Sequence, residues 1–308
     1  MITEGYLTRH YQGRRGGRGP AIIDIAQDHA LHLLAREGLF DLGIALKGGT
    51  AIRKCLAGNA GRFSTDLDFA GVTDDSAELL LDALGGATVG QFTFTTEPID
   101  GTRRARLLIR SPFGETEVPA RLDLGRRELW LPTRSAAILP LPIHHRYDFE
   151  LPAIPISAAE EMIADKLARF RRDSLARDLY DLGWFASRPF DEALVRRTLI
   201  LKVWVDVVDE NLGERPFDPE DVLRERDQAE FDPEAIGYLT TPVDFPGWIE
   251  RVRRRFAFLR ELDELEQQIA RCSRGEEWLV RREIQKLGEW ATSTSTSTDV
   301  TPADADMR

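Results

Sequence analysis

The sequence lacks several features that would assign it to a special class. It has only two cysteines, Cys55 and Cys272, which lie far apart without the spacing of a thiolate zinc site, so we expect free thiols and no disulfide framework. No apolar run approaches the roughly 18 residues of a membrane-spanning helix. The first residues are positively charged, but no apolar stretch follows them, so we expect no secretory signal, no membrane partner and a cytoplasmic location.

Lysine is also scarce, since only five of the 41 basic residues are lysines. The net charge of −11 argues against a protein coated in basic residues, although it does not exclude a local basic groove. With 42% hydrophobic and 30% charged residues, the composition is typical of a globular protein. A chain of 308 residues is about twice a usual domain of roughly 150, which predicts two lobes.

The pattern of residues predicts four segments along the chain. Residues 1–19 are polar and rich in glycine and arginine, so we expect a flexible arm. Residues 20–150 mix helical and alternating patterns, which predicts an α/β lobe with a small mixed sheet. A proline-rich connector then leads into a mostly α-helical lobe that makes up residues 151–290. Residues 291–308 are acidic and of low complexity, which predicts a disordered tail.

Two aspartates on one predicted strand are candidate metal ligands. In the stretch FSTDLDF, side chains alternate between faces, so Asp66 and Asp68 lie together on the face opposite the core. Two carboxylates held this close repel each other, and a divalent cation with oxygen ligands would relieve the repulsion. The residues alone also fit a solvated strand face.

A third acid on a later strand strengthens the metal hypothesis. Asp123 lies between two leucines and therefore points away from the core, on a strand that can neighbour the first. Three carboxylates from two strands can hold two magnesium ions, which activate an attacking hydroxyl and neutralise a triphosphate leaving group. The alternative for Asp123 is a simple ion pair with Arg121 or Arg126.

A glycine turn precedes these strands. Lys47, Gly48, Gly49 and Thr50 lie between a short apolar strand and a predicted helix. Glycines let the backbone approach a phosphate, and the free N–H groups at the start of a helix attract anions. The turn matches neither a Walker A loop nor GxGxxG. Its position before an acidic strand nevertheless predicts a site for a nucleoside triphosphate.

The helical lobe contributes a buried lysine and buried acids. Lys166 lies in the middle of a predicted helix, and Asp178 falls on the apolar face of the next helix, with Asp181 one turn further on. A buried acid needs a partner or a ligand. Lys166 or Arg177 could satisfy Asp178 and hold the helices together, or the group could take part in the chemistry.

Other basic residues are weaker candidates for binding phosphate. Lys202 lies in an apolar run, where a lysine extending its amine to solvent is an alternative to triphosphate binding. The arginine-rich stretches 103–106, 169–172 and 251–255 could line a cleft and bind RNA phosphates, or they could be solvated faces.

Five segments in this order resemble a known family. They are LKGGTAIRK, RFSTDLDFA, RLDLGRRE, EEMIADKLARFRR and RDLYDLGWF. They are similar to the AbiEii/AbiGii type of toxin nucleotidyltransferase, the group that includes the mycobacterial MenT toxins, within the DNA polymerase β-like nucleotidyltransferase superfamily. The resemblance covers roughly residues 20–210. One departure is the longer spacing of 16 residues between Gly49 and Asp66.

The resemblance implies residue roles and partners. Lys166 would contact the triphosphate, with Asp178 and then Asp181 nearby, and Ser64 matches a serine or threonine that this family often has before the first metal acid. Ser64 could instead make a strand-edge hydrogen bond. The cofactor would be Mg²⁺, as two ions, the substrate an NTP, the acceptor the 3′ end of tRNA, and a cognate antitoxin would be a partner.

Two rival functions remain open at this point. One is a small-molecule nucleotidyltransferase, which would be favoured by an acidic pocket around the acceptor. The other is a non-catalytic NTP-binding module that docks an antitoxin, and the set of three aspartates disfavours it.

Overall fold

The computed structural model describes residues 1–114, 116–213 and 215–294. Within these ranges the chain forms eleven α-helices and one sheet of eight strands. The helices are α1 Glu4–His10, α2 Arg18–Arg36, α3 Gly48–Ala51, α4 Asp74–Leu84, α5 Ala159–Phe170, α6 Ala176–Phe185, α7 Glu192–Trp204, α8 Glu220–Leu223, α9 Phe245–Arg255, α10 Glu264–Ala270 and α11 Glu277–Thr294.

The sheet is mixed, and its strands run in the order β3-β4-β5-β6-β2-β1-β8-β7. The strands are β1 Ala45–Lys47, β2 Asp66–Ala70, β3 Thr88–Val89, β4 Phe92–Ile99, β5 Arg104–Arg110, β6 Val118–Leu124, β7 Arg134–Ala137 and β8 Ala153–Ile156. Strand β2 is parallel to β6 and antiparallel to β1, so chain segments far apart in sequence meet at the centre.

The core side of the sheet is covered by helices. Alternate residues of β5 and β6, among them Leu107 and Leu122, are fully buried, and α2 and α4 pack over this half of the sheet. The residues that alternate with these point to the opposite face, and apart from Leu108 and Pro119 they are charged. That face therefore carries the charged side chains, Asp123 among them.

A buried ionic cluster anchors the segment that follows α3. The ammonium of Lys54 lies 2.9 Å from the carboxylates of both Asp24 and Asp28 on α2, and Arg53 also contacts Asp24. All four side chains are buried. Because breaking a buried ion pair costs about 3–5 kcal/mol, this cluster fixes α3 and the turn before it against α2.

The helical lobe is built mainly around α5 and α7, which pack closely against each other, with α6 on α5 and α10 and α11 on α7. Two separate helices, α9 and α10, follow one another near the end of this lobe. The second one restarts at a capping box in which the Asp263 side chain accepts a hydrogen bond from the Glu266 N–H. None of the helices in the described ranges combines the length and hydropathy needed to cross a membrane.

Four features differ from the expectations. Residues 1–19 are not a flexible arm, because α1 buries Leu7 and its His10 contacts Asp24. The sheet is larger than the small one expected, since the proline-rich connector contributes β7 and β8, strands of four residues that are too short to show alternation. Strand β8 also extends the sheet lobe past residue 150. The predicted tail 291–308 begins as the end of α11, and residues 295–308 lie outside the described residues.

Candidate active site

Strand register places three predicted site residues in one row across the sheet. Lys47 on β1 is the partner of Asp68 on β2, and Asp68 is the partner of Asp123 on β6. The row continues to Arg104 on β5, whose Nε lies 3.3 Å from an Asp123 carboxylate oxygen. The two central carboxylates thus have a cation at each end of the row.

The next row holds the remaining carboxylate of the predicted set. Asp66 is the register partner of Arg121, and its carboxylate accepts a hydrogen bond from the Arg121 guanidinium at 2.5 Å. The structure therefore brings Asp66, Asp68 and Asp123 onto the same face, as predicted. It pairs Asp123 with Arg104 rather than with either of the arginines considered from the sequence.

Asp68 holds an unfavourable negative charge. Burial raises the pKa of its carboxyl, and the charges of Asp66 and Asp123 raise it further, against the opposing effects of Lys47 and Arg121. The local cations thus leave part of the repulsion uncompensated. A divalent cation at this position would relieve it.

The glycine turn packs directly against the first row. Gly48 has a φ of +72°, and a side chain at this position would overlap the Asp68 carboxylate. A side chain at Gly49 would overlap the guanidinium of Arg62 and crowd the hydroxyl of Ser64. Both positions require glycine because neighbouring side chains approach the backbone closely, and the turn forms one wall of the site.

We expect Gly48→Ala to lower the melting temperature more than Gly101→Ala. Gly101 has a similar φ of +69°, but no atom lies within 4 Å of a side chain built there. Both variants carry the left-handed cost of roughly 1–2 kcal/mol, and only Gly48→Ala must also displace Asp68. Thermal unfolding of the two variants measures this difference, and equal decreases in melting temperature would contradict the close packing of the turn.

Thr50 and Ser64 have different environments. Thr50 is fully buried, and its hydroxyl donates to the main-chain carbonyl of Asp66, so it fixes α3 to β2 and does not line the cavity. Ser64 is also largely buried but does line the cavity, beside Gly49. Of these two candidates, Ser64 has the position of a ligand-contacting residue.

Lys166 lies in a buried cluster of charges between α5, α6 and the segment before β2. Its ammonium is 2.6 Å from Asp181 and 3.3 Å from Asp178. Arg62 makes a bidentate contact with Asp181 at 3.0 and 3.1 Å, and Arg169 forks onto both oxygens of Asp178. The carboxylates do not line the cavity, whereas the three cations do.

The cluster therefore carries one surplus positive charge. Burial raises the pKa of Asp178, but Lys166 and Arg169 overcompensate and hold it below its usual value. Asp178 is thus held in its ionised form, and each of the two carboxylates contacts its own guanidinium. Arg177 adds a further cation at the cavity, where its Nε has no hydrogen-bond partner among the described residues. This wall of the cavity suits an anionic ligand.

Lys202 does not extend to solvent, contrary to the alternative considered from the sequence. It is buried, with its ammonium 3.0 Å from Glu161 and 2.8 Å from Asp165, and it lies over the ring of Trp130. Burial lowers the pKa of Lys202, but Asp165 and Glu161 more than compensate and leave it raised. Glu161 also accepts hydrogen bonds from the main-chain N–H groups of Trp130 and Leu131, so this group positions the loop after β6.

These walls enclose a cavity of about 830 Å³ between the polar face of the sheet and α5. Eleven basic and nine acidic residues line it, although the chain as a whole has a net charge of −11. The basic ones are Lys47, Arg62, Arg104, Arg121, Arg126, Arg127, Lys166, Arg169, Arg172, Arg177 and Lys202. The cleft is thus locally positive, which suits a ligand that carries phosphates.

Among the described residues, no group of three or more histidine, cysteine or acidic side chains is already arranged to hold a metal ion. In the structure, Arg121 contacts a carboxylate oxygen of Asp66, and Arg104 contacts one of Asp123. The residues nevertheless fit a hard divalent cation, since the donors are all carboxylate oxygens and Asp68 retains uncompensated charge. Both ion pairs are partly exposed and are therefore worth only about 0–1 kcal/mol each.

Sequence reasoning missed Arg62 and gave no role to Asp165. Arg62 lies in the quoted stretch RFSTDLDFA, and its only local signal was a charge next to an apolar residue. Asp165 faces the cavity beside Lys202, and burial raises its pKa while Lys202 and Lys47 lower it below the usual value.

A glycine turn, three carboxylates on adjacent sheet strands and a cationic cavity together define a site of the nucleotide-transferring class. Comparison with known proteins agrees. Residues 32–267 match the family described as nucleotidyl transferase AbiEii toxin, Type IV TA system. The chain therefore belongs to the AbiEii nucleotidyltransferase toxins of toxin–antitoxin systems.

One solved structure gives the same result. MenT4, a nucleotidyltransferase toxin from Mycobacterium tuberculosis H37Rv, is 44% identical, covers 94% of this chain and 100% of its own length, and superposes with a TM-score of 0.89. JHP933 from Helicobacter pylori is 18% identical over 77% of this chain and 94% of its own length, with a TM-score of 0.39. Among curated proteins, none matches.

Proposed function

We propose that this nucleotidyltransferase uses Mg²⁺ to transfer a nucleoside monophosphate from an NTP to an RNA acceptor, the 3′ end of tRNA, and releases pyrophosphate. A cognate antitoxin would restrain the activity. The observation that carries the proposal is the register row of Lys47, Asp68 and Asp123 beside the glycine turn. A tRNA acceptor also implies that the protein acts in the cytoplasm.

The three aspartates would hold the metal. Asp66, Asp68 and Asp123 supply only carboxylate oxygens, and Mg²⁺ bound there would activate the acceptor hydroxyl and neutralise charge on the leaving pyrophosphate. Binding of the metal requires Arg121 and Arg104 to release their carboxylates, which the weakness of exposed ion pairs permits.

The triphosphate would lie between the glycine turn and the charged cluster around Lys166. Gly48 and Gly49 let the backbone approach a phosphate, and Ser64 presents a hydroxyl beside them. Across the cavity, Lys166 provides a surplus charge for the anion, and Arg177 is free to form a charge-assisted contact.

The charge of the cavity also supports a phosphate-rich acceptor over an uncharged small molecule. Basic residues outnumber acidic ones in the lining, and up to three of the acids would be neutralised by metal. These residues do not form an acidic acceptor pocket, which would have favoured the small-molecule alternative.

The test is incubation of the purified protein with total RNA, Mg²⁺ and each labelled NTP in turn. We expect one or more NTPs to label RNA of tRNA size, and chelation of Mg²⁺ to abolish the labelling. Asp123→Asn provides the inactive control, because it removes a proposed metal ligand and nothing from the folded core. Transfer only to a small molecule, or labelling that persists with a chelator, would contradict the proposal.

A further inference from the structure

A row of arginines extends the site along the exposed face of β5 and β6. Strand alternation places Arg104, Arg106 and Arg110 of β5 on the face opposite the buried core, and Arg121 of β6 on the same face. We call these four residues the arginine face. Their side chains are between 44% and 68% exposed.

Strand register makes the arginine face continuous with the candidate active site. Arg104 is the partner of Asp123, and Arg106 is the partner of Arg121, which itself contacts Asp66. Arg110 lies further along β5, and its guanidinium is 3.2 Å from the carboxylate of Glu117, just before β6. The face therefore begins at the proposed metal ligands and leads away from them.

The surface has a shape that suits an extended ligand. Arg106 and Arg110 border a shallow, open groove of about 780 Å³, whose floor includes Leu108 and Pro119. Residues on one face of an antiparallel strand repeat about every 6.8 Å, which is comparable to the distance between successive phosphates of an extended nucleic acid strand.

The arginines can exchange their present partners for phosphate. Arg106 lies 3.6 Å from Glu97, and Arg110 lies 3.2 Å from Glu117, in pairs that are all at least one third exposed. Such pairs contribute only about 0–1 kcal/mol, and a guanidinium binds phosphate in a bidentate manner. Four arginines against two glutamates leave a positive surface once Asp66 and Asp123 bind metal.

We propose that the arginine face binds the sugar–phosphate backbone of the RNA acceptor next to its reactive 3′ end. An acceptor whose terminal hydroxyl reaches the aspartates must continue along some surface of the protein. The helical lobe closes the cavity on the side of α5, whereas the face of β5 and β6 is open and basic. This inference rests on the proposed RNA acceptor and names where that acceptor lies.

The test uses Arg106→Gln combined with Arg110→Gln, because both residues lie outside the proposed metal and triphosphate sites. We expect this pair of substitutions to weaken tRNA binding on the order of tenfold. We also expect the log–log salt slope of binding to become shallower by about 1.4, which is about 0.7 for each single-strand phosphate that the variant no longer binds. NTP affinity should stay unchanged, which also verifies folding.

The matched control is Arg224→Gln combined with Arg260→Gln. These arginines are also exposed and paired with glutamates, at 2.5 and 2.7 Å, but they lie on the helical lobe. The control removes the same charge and should bind tRNA as the wild type does. Equal weakening of tRNA binding in both double variants would show that only net charge matters and would overturn the proposal.

Three other outcomes would also overturn it, and they are distinguishable. If wild type binds and labels tRNA but the Arg106/Arg110 variant binds equally well, the acceptor follows another surface and the proposed function stands. If wild type neither binds nor labels RNA, both the proposed function and this inference are wrong. Loss of antitoxin binding with unchanged tRNA binding would assign the face to a protein partner instead.

Discussion

Nucleotide transfer by Asp68→Asn is expected to be about a thousandfold slower than wild type or undetectable. A metal ion contributes several kcal/mol of charge stabilisation, and each 1.4 kcal/mol or so corresponds to a factor of ten in rate. Asp68 is the register partner of Asp123 and shares its strand face with Asp66, so its loss affects any metal shared with either of them. Rates with saturating NTP and Mg²⁺ provide the measurement.

The same variant should not be less stable. The raised pKa of Asp68 shows that its ionised form is disfavoured by burial and by the two neighbouring acids. Removing a like charge opposite another on a sheet is worth about 0.2–1 kcal/mol, which predicts an increase in melting temperature of about 1–2 °C in metal-free buffer. A large decrease would mean that Asp68 holds the fold rather than a metal.

Asp74→Asn is the matched control for this prediction. Asp74 is an exposed, arginine-paired carboxylate of the same lobe, but it does not line the cavity. We expect it to retain wild-type transfer and any growth-inhibiting effect, both of which Asp68→Asn should lose. Equal activity of Asp68→Asn and Asp74→Asn would exclude the metal role.

The carboxylates could be predicted from the sequence because their arrangement is local. Alternation within FSTDLDF fixes which side chains share a face, and the leucines around Asp123 fix its direction in the same way. The prediction that the three carboxylates lie close together required one further assumption, that the two strands are neighbours. The parallel pairing of β2 with β6 confirms this assumption.

The missed features depend on contacts between distant segments. Strand β8 is only four residues long and contains Pro155, yet it pairs with β1 through Leu46 and Ile156, both of which are buried. Helix α1 is likewise held by residues of α2, and no local sequence pattern indicates these contacts. Short elements of this kind take their structure from packing rather than from their own propensity.

The charged cluster around Lys166 could be predicted only in part for the same reason. The sequence indicated that Asp178 needs a partner and offered Lys166 or Arg177. The structure uses Lys166 together with Arg169, and it leaves Arg177 facing the cavity. Arg62 reaches Asp181 from a position 119 residues away, which no helical spacing could reveal.

Lys166→Met is expected to weaken NTP binding roughly ten- to a hundredfold, since a hydrogen bond to a charged group is worth about 1.5–3 kcal/mol. The expected change in stability is small, because Asp181 keeps Arg62 and Asp178 keeps Arg169 after the substitution. The surplus charge of the cluster disappears, and with it the attraction for a triphosphate. NTP titration and thermal unfolding of the same preparation measure the two effects.

Asp178→Asn distinguishes a triphosphate-binding role of Lys166 from a purely structural one. It leaves three cations around a single carboxylate, and removing one partner of a buried ion pair costs about 3–5 kcal/mol. We therefore expect a large loss of stability from Asp178→Asn and a small one from Lys166→Met. If Lys166→Met is equally unstable while its NTP affinity is unchanged, the lysine serves only to neutralise the two aspartates, and the triphosphate must bind elsewhere in the cavity.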